Sequence, residues 1–208
     1  TIEQRLNISM EPEAFGSIVF GETAVDTQLR YWEVWENSTK VDYVLAAAVH
    51  EIESFGDLYI EDDLVSFSGN DATGKYAGVL TRRTRTVGVT GSYLSAGGGG
   101  IWKAALGKGP WMTGLAHFVL SWTVTPETLP GGIPTRITQK GKGAKLYDPR
   151  RDSTRGGSGS HRADDQSTWE YSPLDSNGVP IGRNAALQIL WYRIGWRVQN
   201  PDTGEWIL

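Results

Sequence analysis

Residues 28–52 read QLRYWEVWENSTKVDYVLAAAVHEI, and this stretch decides the fold class. Over residues 28–35 the side chains alternate at a period of two, with aromatic rings on both faces, which is typical of a β-strand covered on one side and partly on the other. The polar residues 37–39 then indicate a turn. The Val- and Ala-rich residues 41–52 predict a second, longer strand.

Further strands are predicted on both sides of this stretch. Residues 17–20 form a short apolar run between glycines, and residues 58–67 predict a hairpin with an acidic tip. Residues 113–125 predict a buried central strand because apolar side chains occupy most of their positions. Residues 136–138 and 144–147 predict a second hairpin around a basic, glycine-containing tip. The strands do not alternate with helices, which argues against a parallel sheet.

One helix is predicted near the C-terminus. Asn184 can cap residues 185–194, whose apolar side chains follow the spacing of an amphipathic helix. We therefore expect a mainly β (α+β) fold, an antiparallel β-barrel or sandwich with a C-terminal helix. Residues 1–67 and 111–208 would form the two parts of this domain, and the Gly-, Ser- and Thr-rich residues 68–110 an irregular insertion or long loop between them.

The composition excludes several kinds of chemistry. The 208 residues include no cysteine, which rules out disulfide frameworks, thiolate zinc sites, iron–sulfur clusters and cysteine nucleophiles. No apolar run approaches the roughly 18–20 residues that span a bilayer, so we expect no membrane segment. The sequence opens at Thr1 without a methionine and ends on the apolar residues 206–208, so we interpret it as a piece of a longer polypeptide.

Charge is distributed unevenly along the chain. Residues 1–65 carry fourteen acidic and three basic side chains, a net charge of −11, whereas residues 136–163 carry eight basic and two acidic ones, a net charge of +6. This asymmetry leaves three interpretations open: a polyanionic partner, head-to-tail assembly of subunits, or a solvated loop. Aromatic residues are absent from the sequence between Arg150 and Arg162, so a base-stacking surface for nucleic acid is not indicated.

Catalytic motifs are not evident. His50, His117 and His161 lack the spacing of a zinc site, and His117 is expected in the core whereas His161 is expected to be solvated. The sequence contains neither a phosphate-binding glycine loop nor a nucleophile elbow. A glycosidase-type pair of carboxylates stays open, because only the fold brings such a pair together. We predict a non-enzymatic protein with no catalytic residue, metal site or cofactor.

Tryptophan is the most informative residue type that remains, since the chain has nine. Such side chains serve as core residues, as subunit-interface anchors or as sugar-stacking platforms. Trp122 and Trp191 lie on apolar faces of predicted elements and are expected in the core. Trp169, which follows the basic stretch, is predicted to belong to a contact surface.

Several short motifs follow one another along the chain: residues 46–67, GLAHFVL at 114–120, PGGIP at 130–134, KGAKLYDPR at 142–150, Trp169 and NAAL at 184–187. This ordered set resembles the tail tip, or central hub, proteins of long-tailed bacteriophages and of phage-like gene transfer agents. Each motif is short, but their order and spacing together make the likeness moderately specific.

The resemblance implies a segment of a much larger virion structural protein at the phage tail tip. Members of this family are generally homotrimers of β-barrel-like hub domains, which close the distal end of the tail tube and support host attachment and genome delivery. The implied partners are further copies of the chain and other tail tip and tail tube proteins, with a host surface component reached through other parts of the full protein. The only nucleic acid that the protein would contact is the phage genome as it passes through the tail.

Two other functions compete with this one: a carbohydrate-binding module that recognises the host surface, and a tail-associated cell-wall hydrolase. Under the hub interpretation, residues 136–163 are expected to contact a neighbouring subunit or tail component rather than a substrate. The family-motif and assembly candidates are Tyr147, Asp148, Pro149, Arg150, Arg151, Arg155, Trp169 and Asn184.

Overall fold

The structure is a computed structural model that describes residues 16–96, 111–200, 203 and 205–207. These residues form strands, short 3-10 helices and one α-helix. The strands are β1 (Glu22–Val25), β2 (Gln28–Trp35), β3 (Lys40–Ala48), β4 (Ser54–Ile60), β5 (Asp63–Val65), β6 (Phe67–Ser68), β7 (Asp71–Ala72), β8 (Leu80–Arg85), β9 (Ala116–Thr123), β10 (Ile137–Lys142), β11 (Val198–Gln199) and β12 (Trp206–Ile207). The helix α1 is Ala185–Ile194, and the 3-10 helices are Gly74–Tyr76, Pro149–Arg151, Ser153–Arg155, Gln166–Thr168 and Ile181–Arg183.

Two antiparallel sheets make up most of the fold. The larger has the order β2-β3-β9-β8-β7-β6 and the smaller the order β1-β10-β4-β5, while β11 and β12 pair with each other. The expectation of a mainly β fold with a C-terminal helix is therefore confirmed. The barrel is not: over the described residues both sheets stay open, with β2 and β6 at the ends of one and β1 and β5 at the ends of the other.

The main core lies between the facing sides of these two sheets. Phe118 and Trp122 of β9 belong to one hydrophobic cluster with Leu58 of β4 and Ile137 of β10, and all four side chains are buried. Phe55 of β4 meets Phe118 edge to face, with ring centroids 5.5 Å apart. Each such side chain stabilises the fold by about 1.5–3 kcal/mol through its removal from water.

The strands with the clearest alternation lie where the sequence predicts them. β2 and β9 match residues 28–35 and the centre of 113–125, and β3 ends at Ala48 rather than at residue 52. Residues 17–20 do not form a strand, so that prediction is wrong. The segment makes isolated backbone hydrogen bonds rather than a strand ladder: the carbonyl oxygen of Ser17 accepts from the Val49 N–H at 3.0 Å and that of Val19 from the Ala144 N–H at 2.8 Å, while the N–H of Val19 donates to Nε2 of His50 at 2.9 Å.

Of the two predicted hairpins, one is correct. β4 and β5 form the hairpin with the acidic tip. The basic hairpin is wrong, because β10 runs without a turn through Gly141 and pairs with both β1 and β4. A Cβ atom on Gly141 would lie 3.3 Å from the carbonyl oxygen of Ser54 and from Cγ1 of Val25, so this glycine permits close packing rather than a turn.

Part of the expected insertion belongs to the larger sheet. β8 lies between β9 and β7 and pairs with β9 over six residues. Within residues 67–85, β6, β7 and β8 are therefore strands of this sheet, and the 3-10 helix Gly74–Tyr76 lies between β7 and β8. The glycine run at 97–100 lies outside the described residues.

Candidate assembly site

The family-motif residues gather around a second hydrophobic core, separate from the one between the sheets. Buried members of this second core come from the segment after β10 and from α1, and include Tyr147, Trp169, Leu187 and Trp191. The rings of Tyr147 and Trp169 have centroids 6.3 Å apart. Residues distant in the sequence, from Tyr147 to the helix, thus form one structural unit.

Trp169 is a core residue and not a contact surface, so that prediction is wrong. The side chain is only 4% exposed, and its Nε1 donates to the carbonyl oxygen of Arg162 at 2.8 Å. Burial of a tryptophan with its N–H bonded stabilises the surrounding loop, which we call the basic loop (residues 148–170). Tyr171, two residues further on, is buried as well.

Asp152 organises the first half of the basic loop. Its carboxylate is buried and accepts hydrogen bonds from the Tyr147 hydroxyl at 2.7 Å, from the Thr154 backbone at 2.8 Å and from the Thr154 hydroxyl at 2.6 Å. An Arg162 guanidinium nitrogen lies 3.3 Å away. The hydrogen bond from the Thr154 hydroxyl, with those from Tyr147 and the Thr154 backbone, lowers the pKa of Asp152 to about 2 despite its burial. The carboxylate is therefore ionised at neutral pH.

Asp148 holds Arg150 against the loop. The carboxylate accepts from the backbone N–H of Arg150 at 3.0 Å and from its guanidinium at 2.9 and 2.7 Å, which is a bidentate pair. Burial acts to raise the pKa of Asp148, but these hydrogen bonds and the charge of Arg150 outweigh it and lower the pKa. Pro149 begins the 3-10 helix that Asp148 caps. The guanidinium of Arg150 is thus bound to a carboxylate within its own loop.

His161 connects the two ends of the basic loop and is buried, so its expected solvation is wrong. Its Nδ1 accepts the backbone N–H of Asp148 at 3.0 Å, which leaves the proton on Nε2. Nε2 then donates to Oε2 of Glu170 at 3.0 Å, and Arg151 donates to the same oxygen at 3.1 Å. The imidazole serves as a bridge inside the loop.

Asn184 caps α1 as predicted. Its Oδ1 accepts from the backbone N–H groups of Ala186 at 3.0 Å and Leu187 at 3.3 Å. These bonds satisfy two of the amide groups that have no partner within the helix. The cap therefore fixes the start of a helix whose inner face contributes to the second core.

Replacing Asn184 with alanine should lower the free energy of unfolding by about 1 kcal/mol, because both amide groups lose their acceptor. Urea denaturation of the purified chain measures this value. The matched control is Asn184→Ser, which keeps a neutral capping oxygen and should stay close to the unmodified chain. Equal losses in the two variants would show that the cap does not carry the effect.

Much of the charge asymmetry is neutralised within the chain. Three basic residues of 136–163 pair with acidic residues of the first 65, and one of them is Lys145, whose Nζ lies 2.6 Å from Oε1 of Glu51. The other two are Arg136, which pairs with Glu61 and Asp62, and Lys140, which pairs with Asp57. Arg155 differs, since it is exposed and forms no ion pair with any residue that the structure describes. Among the predicted arginines it alone is available to a partner.

No protein-family model matches the chain, and no curated protein matches it either. In the part of the chain that the structure describes, none of the helices has the length and apolar character needed to cross a membrane. Over the same residues, His, Asp and Glu side chains do not form a group of three or more suited to a metal ion.

Proposed function

We propose that this chain is a segment of a structural hub protein at a phage tail tip, where it helps to close the distal end of the tail tube. The proposal starts from the order of the motifs along the sequence. The observation that carries it further is the convergence of those motifs: Tyr147, Asp148, Trp169 and Asn184 all build the basic loop and the second core that anchors it. The proposed location is the virion.

The chemistry of the loop favours a scaffold over a hydrolase. Asp148 and Asp152 are both held ionised by hydrogen bonds, with pKa values below the ordinary range. A glycosidase acid needs the opposite, a carboxyl group whose raised pKa keeps it protonated near neutral pH. These two carboxylates instead organise backbone and arginine side chains, which is what a precisely shaped interaction loop requires.

The side chain that we assign to the subunit contact is Arg155. The capped turns formed around Asp148 and Asp152 hold the backbone that carries it. Three copies arranged in a ring meet through unlike surfaces, so an exposed cation on one subunit can face an acidic surface on the next. Arg150 and Arg151 instead hold the shape of the loop, since both already pair with carboxylates of their own chain.

Charge reversal at this position tests the proposal. The parent protein carrying Arg155→Glu should be incorporated into tail tips at least about tenfold less often than the unmodified protein, because a complementary charge pair becomes a repulsive one. Particle composition by quantitative mass spectrometry measures incorporation. The isolated chain should keep its melting temperature, because Arg155 makes no ion pair that the fold would lose.

The matched control is Arg193→Glu, an equal charge change at an exposed position of α1. It should assemble as the unmodified protein does. Normal incorporation of the Arg155→Glu protein would contradict the assigned contact.

A further inference from the structure

A groove of about 680 Å³ lies on the larger sheet, on the face opposite the main core. Along β9, Phe118, Leu120 and Trp122 point into the main core, so the alternating Ser121 and Thr123 face the other way. Both of these hydroxyl residues line the groove. The other lining side chains used below are Trp35, Lys40, Asn70, Asp71, Thr81 and Arg83.

Two cationic groups stand close together on the floor of the groove. Nζ of Lys40 donates to Oγ1 of Thr123 at 2.7 Å, and the Arg83 guanidinium donates to Oγ of Ser121. Residues two apart on a strand are about 6.5 Å apart, so Ser121 and Thr123, whose hydroxyls accept from these cations, have that spacing along β9. This separation suits contacts to different hydroxyl groups of one small ring.

Acceptors lie beside these donors. Ser121 of β9 is paired with Thr81 of β8, and Thr81 is in turn paired with Asp71 of β7. Neighbouring strands are about 5 Å apart, so a hydroxyl, a second hydroxyl and a carboxylate follow one another across the sheet. Asn70 adds an amide next to Asp71, and Trp35 adds an aromatic wall.

The charges on this face distinguish between possible ligands. The described residues that share it include three acids, Glu33, Asp42 and Asp71, and three bases, Lys40, Arg83 and Arg85. The acids and bases on this face balance, so a simple anion would meet no net positive surface and is not favoured. A neutral polyhydroxyl ligand can instead both donate and accept, because each hydroxyl does both.

We propose that this groove binds a neutral oligosaccharide. At one side Asp71 accepts hydrogen bonds and Asn70 both accepts and donates them, at the other side Lys40 and Arg83 donate, and Trp35 provides apolar contact for a ring face. The site is separate from the basic loop and the second core, and the inference stands whether or not the tail-tip proposal does.

Binding to neutral oligosaccharides tests this directly. The purified chain is first applied to a printed array of neutral oligosaccharides that includes maltotriose, cellotriose and triacetylchitotriose, and the strongest binder is then titrated by NMR. We expect binding in the millimolar range or tighter, with shifts at the amide signals of Thr81 and Ser121. Asp71→Ala and Lys40→Gln should each weaken binding by at least about tenfold, because hydrogen bonds to charged groups are lost.

The control Asp57→Ala removes an exposed carboxylate from the smaller sheet and should leave binding unchanged. Inorganic phosphate should leave the Thr81 and Ser121 signals where they are. Three results would each overturn the proposal: no neutral oligosaccharide binding at about 10 mM, phosphate giving the same shifts, or unaltered affinity in a folded Asp71→Ala variant.

Discussion

Replacing Trp191 with alanine is expected to lower the free energy of unfolding by about 3–5 kcal/mol, the usual cost of removing a large buried aromatic side chain. The indole is 2% exposed and stacks on Trp196, with ring centroids 4.6 Å apart. Phe20 meets it edge to face at 5.1 Å, and His50 lies 5.2 Å away. The cavity would therefore open where α1 joins the rest of the second core.

Urea denaturation followed by far-UV circular dichroism measures the loss, since it does not depend on the tryptophan signal. The matched control is the next residue, Tyr192, which is 65% exposed on the outer face of α1. Tyr192→Ala should cost less than about 0.5 kcal/mol. Similar values for the two variants would contradict the packing of α1 through Trp191.

Acid should destabilise the protein between about pH 6.5 and 4. Burial lowers the pKa of both His50 and His117 to about 4, so each stays neutral in the folded chain through this range. In the unfolded chain a histidine takes up its proton near pH 6.5. Because the unfolded state then binds more protons, stability is complete above this range and falls as the pH drops, by about 3 kcal/mol per histidine once pH 4 is reached.

Urea midpoints at pH 7.5 and pH 4.5 measure this dependence. His117→Gln should remove about half of the difference between the two midpoints, because one of the two proton-linked groups is gone. Each buried ring already has a partner for Nδ1–H, the carbonyl oxygen of Glu51 for His50 and that of Leu115 for His117. Equal midpoints at the two pH values would contradict the assignment of buried, neutral imidazoles.

Local patterns sufficed for the elements whose signal lies within one segment. β2, β9, the acidic hairpin and α1 were all predictable from alternation, turn residues or a capping Asn184. Which strands become neighbours depends on contacts between distant residues. Gly141 illustrates this, because its role in strand packing is set by Ser54 and Val25 and not by the glycines and lysines around it.

The candidate site was predictable as a set of residues but not as an arrangement. The motifs indicated Tyr147, Asp148 and Trp169, yet nothing local indicates that Trp169 is buried. His161 was missed for the same reason, since its partners Asp148 and Glu170 come from opposite ends of the basic loop. A polar, glycine-rich stretch is typical of a solvated loop, and only long-range hydrogen bonds make this one compact.

The measurement that tests the central claim most directly is the position and copy number of this chain in the intact particle. Cryo-electron microscopy of particles with an epitope-tagged parent protein gives both, and light scattering of the isolated ring gives its mass. The account predicts three copies at the distal end of the tail, so that the segment alone contributes about 68 kDa, three times 22.8 kDa, to the ring. Particles whose tail tip lacks the tagged protein would contradict it.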